Sequence, residues 1–200
     1  MHNIKSIPLL LTLAIATGAQ ADSVVDQIDA GRRAYEAGDA RVAIQALQFA
    51  IAEIETELSK RQLELLPKPL PGWTADDPVS ETGGFAAMIA GTNLSRSYRN
   101  EASGAGVQIG ITADSPLLSM MGMMMSTPML MQAQPGSSAY TRSGFRGMLE
   151  KDENGDVKIT LMVGTRILLQ AQGSGGASRE ELEAYLDAMD LGNLEKALLG

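Results

Sequence analysis

The sequence predicts an α+β protein in which an N-terminal antiparallel helical hairpin is followed by an antiparallel sheet with helices packed on one face. Three observations support this class. Apolar residues recur at helical spacing between residues 23 and 66, whereas from Leu94 onward the apolar period changes to two. A capped helical pattern then closes the chain from Ser178. Antiparallel strands with helices gathered on their buried face define an α+β domain.

Residues 1–21 have the features of an export signal. An apolar run from Ile7 to Ala16 is followed by the small residues of Gly18-Ala19-Gln20-Ala21, which are typical of a cleavage site. The chain has no cysteine, and its one histidine, His2, lies in this segment. The exported chain is therefore expected to lack Cys-nucleophile and Ser-His-Asp catalysis, disulfides, and thiolate or imidazole metal sites.

The charge balance of the remaining chain is acidic. Because Lys5 is the one charged residue of the signal, 15 basic side chains face 24 acidic ones, a formal charge of −9. Nucleic acids and anionic membrane surfaces bind clustered Lys and Arg, so neither is expected as a partner. After the signal no apolar run reaches the roughly 18–20 residues that span a bilayer. We therefore expect a periplasmic protein, with full secretion as the alternative.

Residues 22–66 are predicted to form the helical hairpin. Gly38 ends the first helix as a left-handed stop, and Asp39 caps the second. The first helix has a modest apolar face that includes Val24, Val25 and Ile28. The second has one apolar stripe at spacings of three and four, composed of Ala43, Ala46, Leu47, Ala50, Ile51, Ile54 and Leu58. One face of this hairpin therefore needs a partner.

The small and large residues of the hairpin fall near the packing positions of a known repeat: Gly31, Tyr35, Gly38, Ala43, Leu47 and Ala50. In these positions the hairpin resembles a single tetratricopeptide unit of about 34 residues. No second copy follows it in the sequence. Because about three such repeats are needed to bury a continuous core, an extended peptide-binding array is not expected. The hairpin is therefore interpreted as a generic helix pair docked on the rest of the protein, with a peptide-binding repeat as the alternative.

Residues 67–80 are predicted to be a Pro-rich linker before an α+β domain at residues 81–200. Pro67, Pro69 and Pro71 forbid helix and favour an extended chain. Trp73 is the only tryptophan in the chain. Such an amphipathic ring is expected to fill the edge of the neighbouring core, and stacking on a ligand is the alternative.

Within residues 81–200 the sequence predicts strands and helices in a fixed order. They are strands at 95–99 and 107–111, a helix at 116–133, strands near 140–150, 157–163 and 167–172, and a helix from Ser178.

The register of the later strands follows from their apolar faces. A three-residue loop at 153–155 pairs Leu149 with Ile159 and sets Glu150 opposite Lys158, whereas a two-residue loop would mix apolar and polar residues on one face. A second three-residue loop, at 164–166, continues the same apolar face.

This order of elements is accompanied by a Pro71-Gly72-Trp73 entry, a Gly164-Thr165-Arg166 turn, and a closing Leu-x-x-Tyr-Leu helix that ends in Asp190-Leu191. In topology and spacing, residues 72–200 resemble the Mog1/PsbP-like fold. The resemblance implies an adaptor or assembly factor, although a shared fold does not determine chemistry.

Residues 119–131 contain seven methionines in thirteen positions. On a helix they form a broad apolar arc, which is compatible with packing across a sheet. Because Met side chains re-pack around varied partners, the arc also predicts a binding surface for a protein or a lipid-like ligand. Thioether sulfur can bind Cu(I), which is a third interpretation. The hypothetical surface consists of Met120, Met121, Met124, Met125, Met129 and Met131, together with Trp73.

A basic group occurs in the later strands of this acidic chain. Arg142, Arg146 and Lys158 are expected to share the open face of the sheet. Such a face would suit an acidic partner or an anionic small molecule. A solvated face with a few ion pairs is the alternative interpretation.

Together these patterns predict a non-catalytic exported protein that acts by protein–protein contacts in the cell envelope. The alternative is a binding module for an apolar or lipid-like ligand, or for Cu(I), at the Met-rich helix. No catalytic residue, resident metal or cofactor is assigned. The patterns determine neither the partner nor the oligomeric state.

Overall fold

The computed structural model describes residues 19–81, 91–116, 118 and 136–200, and their side chains from residue 23 onward. The chain divides into two compact units, Met1–Ile54 and Glu55–Gly200. Because the described residues begin at residue 19, the predicted signal at residues 1–21 lies almost wholly outside them. The same holds for the predicted helix at 116–133, including every methionine of the hypothetical surface.

Two helices form the N-terminal hairpin, α1 (Ala19–Glu36) and α2 (Ala40–Leu63). The connection between them matches the prediction, because Gly38 has a φ of +84° and the Val42 amide donates to Asp39 Oδ1 at 3.4 Å. Asp39 thus satisfies one of the amides that the first turn of a helix leaves without a partner. The predicted helical hairpin is confirmed.

In the described residues of the second unit, eight strands build one antiparallel sheet, in the order β1-β3-β4-β8-β7-β6-β5, with β2 also paired to β3. The α+β class is confirmed. The strands are β1 (Thr74–Ala75), β2 (Val79–Glu81), β3 (Thr92–Arg99), β4 (Gly106–Ala113), β5 (Ser137–Arg142), β6 (Phe145–Lys151), β7 (Val157–Val163) and β8 (Ile167–Ser174).

The predicted register of β6, β7 and β8 is confirmed. Leu149 is paired with Ile159, and Glu150 with Lys158. The loop between β6 and β7 has Gly155 at a φ of +89°, in the left-handed region that a bulged turn requires. The three-residue loop after β7 is also present, because Val163 pairs with Ile167.

The single strand predicted near 140–150 is wrong. Residues 137–151 form two strands, β5 and β6, which are joined at Ser143-Gly144 and have Arg142 paired with Phe145. Ser143 and Gly144 both have positive φ, at 51° and 83°. Two consecutive residues of this kind make the tight hairpin turn whose twist matches that of the strands. The turn reverses the chain, so the face on which Arg142 lies also differs from the prediction.

The core of the second unit lies between one face of the sheet and two C-terminal helices, α3 (Arg179–Asp187) and α4 (Leu194–Leu199). The predicted capping box of α3 is present: the Glu181 amide donates to Ser178 Oγ, and the Ser178 amide donates to the Glu181 carboxylate. The largest fully buried side chains include those of Ile109, Ile111, Ile159, Leu161, Ile167, Leu169, Leu182, Tyr185 and Leu194.

The Pro-rich segment belongs to the second unit and packs on its core. Leu66 is buried, and the Tyr98 hydroxyl donates to the Pro67 carbonyl at 2.6 Å. The Leu70 amide donates to the hydroxyl of Tyr185 at 3.4 Å. These bonds hold residues 66–70 against the sheet and α3.

Candidate functional site

The helical hairpin exposes an unusual amount of apolar surface. Among the residues that the structure describes, every large hydrophobic side chain that is strongly exposed lies on α1 or α2, except Val79. Tyr35 is 74% exposed and Ile44 is 57% exposed. Between the two helices lies a cleft of about 470 Å³, which we call the hairpin groove and which is lined by Ile28, Gly31, Arg32, Tyr35, Ala40, Ala43, Ile44 and Leu47.

The apolar residues of α2 separate into two stripes. Small residues, Ala43, Ala46 and Ala50, are buried in the hairpin. Large residues lie roughly 90° further around the helix, at about 100° of rotation per residue. These are Ile44, Leu47, Ile51 and Ile54, all more than 40% exposed, and we call them the α2 stripe.

The periodicity of the sequence predicted a single stripe of alanines and large residues, without Ile44. The helices approach closely at Gly31 of α1, against which the Leu47 side chain packs. A Cβ atom on Gly31 would lie 2.9 Å from Leu47 Cγ, so a larger residue at this position would have to displace the Leu47 side chain. The signal that could have separated the two sets is residue size at the spacing 44, 47, 51 and 54.

A polar contact holds the open end of the hairpin. Ser23 Oγ donates to Glu53 Oε1 at 2.6 Å and links the start of α1 to α2 across thirty residues of sequence. Arg32 is the one charged residue in the lining of the groove, and it pairs with Asp29 and Glu36 of the same helix. The groove and the α2 stripe therefore form an apolar surface on an ordered helix pair.

The hypothetical Met-rich surface is represented in the described residues by Trp73 alone. Trp73 is partly buried, and its ring meets that of Tyr185 edge-on, with centroids 5.5 Å apart. Tyr185 in turn packs on Tyr98 at 4.3 Å. The contacts of Trp73 are thus those of a ring that fills the edge of the core.

The structure does not bring Arg142, Arg146 and Lys158 together. In an antiparallel pair, residues directly opposite each other share a face. Arg142 is opposite Phe145 and therefore lies on the helix-covered face, whereas Arg146 and Lys158 lie on the other. The expectation of a shared face is wrong for Arg142, because the turn at Ser143-Gly144 changes its parity. Lys158 also forms an ion pair with Glu150 at 3.4 Å.

Arg142 instead joins a polar cluster on α3. Its Nη1 lies 3.0 Å from Glu183 Oε2, and its Nε donates to Asp187 at 2.8 Å. The Tyr140 hydroxyl donates to Glu183 Oε1 at 2.9 Å, and Arg179 donates to the same oxygen at 2.7 Å. Sequence reasoning missed this cluster because its members are separated by about forty residues and meet only through the β5–β6 turn.

Electrostatics in the cluster favour a charged Glu183 carboxylate and a neutral Tyr140 phenol. Burial alone would raise the pKa of Glu183, but hydrogen bonds from Arg179 and Tyr140, together with the charge of Arg142, lower it overall. Burial raises the pKa of Tyr140. The Asp187 carboxylate raises the pKa of Arg142 further above its ordinary value. Each group has a hydrogen-bond or ion-pair partner within the cluster, and these contacts join β5 to α3.

Within the described part of the chain, no set of His, Cys, Asp and Glu side chains has the arrangement of a metal site. No helix in the same residues is both long and apolar enough to cross a membrane.

Comparison with protein-family models, with curated proteins and with solved structures finds no match for this chain. The resemblance of residues 72–200 to the Mog1/PsbP-like fold accordingly stays an expectation from the sequence.

Proposed function

We propose that this is a non-catalytic exported protein that acts through protein–protein contacts made by its helical hairpin. The observation that carries the proposal is the apolar surface of the hairpin groove and the α2 stripe. Ile44 and Ile51 are each more than half exposed on this surface. The second unit provides the contrast, because among its described residues Leu58 and Val79 are the only large hydrophobic side chains that are strongly exposed, and its core is buried between sheet and helices.

The exposure of such an apolar surface to water is energetically unfavourable. Each Å² of apolar area left in water costs about 25 cal/mol relative to burial, and monomeric proteins rarely keep contiguous apolar patches beyond a few hundred Å². Large exposed patches mark sites at which another molecule covers the protein. Since the groove runs between two helices and has a long apolar rim, a helical protein segment suits it.

The expected cellular location supports this proposal. Residues 1–21 have the pattern of an export signal, and no membrane-spanning segment is expected after them. We place the protein in the periplasm, where its partner would be another envelope protein or a further copy of this chain. The alternatives at residues 120–131 involve side chains outside the described part of the chain, and no observation favours them.

Site-specific photocrosslinking in the native cells tests the proposal. A benzophenone side chain is introduced in place of Ile51 and, as a control, in place of Gln172, which is exposed on the sheet. We expect protein adducts at residue 51 and none at residue 172. The absence of any protein adduct at residue 51 would overturn the proposed function.

A further inference from the structure

We infer that the α2 stripe binds the same stripe of a second copy of this chain, with the two α2 helices antiparallel. This inference rests on the proposed function, because it names the partner of the hairpin surface. Two observations identify a second copy of the chain as the partner: the spacing of the stripe and the charges beside it.

The spacing of the stripe is the same in both chain directions. Ile44, Leu47, Ile51 and Ile54 are separated by three, four and three residues, which is the a/d pattern of a helix-pairing seam. When two copies run antiparallel about residue 49, Ile44 meets Ile54 of the second copy and Leu47 meets Ile51 of the second copy. Every large residue of the stripe then has an apolar counterpart.

Charges beside the stripe distinguish this arrangement from others. Arg41 and Glu55 are exposed, and neither forms an ion pair with any residue that the structure describes. Arg41, Gln48 and Glu55 are spaced by seven residues and lie along one flank of the stripe. In the antiparallel pair this flank faces the same flank of the second copy, so Arg41 of each copy lies beside Glu55 of the other, and the uncharged Gln48 lies beside its own symmetry mate. A parallel pair would leave Arg41 without an acidic counterpart. The flanking charges therefore favour the antiparallel dimer.

The hairpin also leaves room for this partner. The alanine stripe holds α1 against α2, and the α2 stripe lies at roughly a right angle to it. Leu47 also packs against Gly31 of α1, but it stays 41% exposed and the other three residues of the stripe are more exposed still. Ile28 and Tyr35 of α1 line the adjoining groove and would extend the contact. Two hairpins joined in this way form a four-helix arrangement with an apolar centre.

Sedimentation velocity of the purified protein, made from the full-length chain, tests the inference. We expect a concentration-dependent dimer that Ile51→Glu converts to a monomer. Phe49→Glu is the matched control, because Phe49 is 60% exposed, against 54% for Ile51, but points to the opposite side of α2. A monomer at high micromolar concentration, or equal effects of the two substitutions, would overturn the inference.

A charge exchange tests the orientation. Arg41→Glu and Glu55→Arg should each raise the dissociation constant roughly three- to tenfold, since each creates two symmetry-related like-charge contacts. The double exchange should restore the wild-type value. Additive weakening in the double variant would overturn antiparallel pairing.

Crosslinking through a single introduced cysteine provides a second measurement, since the natural chain has none. With a short bismaleimide reagent, Gln48→Cys should give a covalent dimer and Phe49→Cys should not. Equal yields at the two positions would contradict the inference. If the purified chain is monomeric while Ile51 crosslinks to a different protein in cells, self-pairing fails and the proposed function stands; if nothing crosslinks, the proposed function fails.

Discussion

Gly147 makes the closest backbone approach in the later strands, and replacing it with alanine is expected to destabilise the second unit. Gly147 lies in β6, opposite Tyr140 on one side and Leu161 on the other. A Cβ atom built on it would lie 1.9 Å from the carbonyl oxygen of Thr160. That oxygen belongs to the backbone of the neighbouring strand, so no side-chain rotation can relieve the clash.

The magnitude follows from the displacement that the clash requires. Carbon and oxygen approach to about 3.3 Å at closest, so β6 and β7 would have to separate locally by about 1.4 Å. Ladder hydrogen bonds of about 2.9 Å do not survive such an increase. Losing about two of them, at about 1–2 kcal/mol each in a buried sheet, lowers the free energy of unfolding by about 2–4 kcal/mol.

Gly110→Ala is the matched control. Gly110 also lies within a strand of the same sheet, but a Cβ atom there would meet nothing within 4 Å. Replacing a strand glycine in open space is expected to leave stability unchanged or to raise it by about 0.4–1 kcal/mol, because the unfolded chain loses conformational freedom. The comparison therefore separates the steric effect at Gly147 from the general effect of replacing a glycine.

Urea unfolding followed by the fluorescence of Trp73 measures this change. The ring of Trp73 packs on Tyr185, and the chain has no other tryptophan, so the signal reports on the second unit. With a typical denaturant slope of about 2 kcal/mol per M, the midpoint of Gly147→Ala should fall by about 1–2 M. A loss below about 0.5 kcal/mol at unchanged slope would refute the reasoning.

Two further predictions concern single side chains, and a third concerns the export signal. Because the pKa of Glu183 is lowered in the folded state, its stabilising effect is present above the ordinary value of 4.5 and is lost as the pH falls through the folded value. The difference in urea midpoint between wild type and Glu183→Gln should therefore shrink from pH 7 to pH 3, and a constant difference would contradict this. Tyr98→Phe removes the donor to the Pro67 carbonyl and should cost about 1 kcal/mol of unfolding free energy; an unchanged Trp73 fluorescence midpoint would argue against it. The intact mass of the exported protein should correspond to a chain that begins at Asp22, and retention of residues 1–21 would disprove the signal assignment.

The register of β6, β7 and β8 could be predicted because it depends on local information. The side chains of a strand alternate between faces, so only a loop of the correct length keeps Leu149 and Ile159 on the same side. Gly155 supplied the left-handed residue at the required position. The capping box at Ser178 was predictable for the same reason, since its two bonds span three residues.

The turn between β5 and β6 was missed although Ser143-Gly144 is a turn-prone dipeptide. Gly144 suits a positive φ, but Ser143 rarely adopts one, and apolar residues on both sides suggested a continuous strand. Because of this turn, Arg142 lies on the helix-covered face of the sheet and not on the expected cationic surface. The turn also created the cluster with Tyr140 and Glu183, which joins residues far apart in the chain.

The hairpin shows which of its features follow from the sequence and which follow from the tertiary structure. The sequence by itself determined two helices, their connection at Gly38-Asp39, and an apolar side on α2, because periodicity and capping act within a few residues. Only the tertiary structure decided which apolar residues are buried. Small residues allow two helix backbones to approach closely, so the alanines with Gly31 form the interface and the larger Ile44 and Ile51 remain in solvent. That division depends on how closely two helices pack, which the periodicity of either helix alone does not specify.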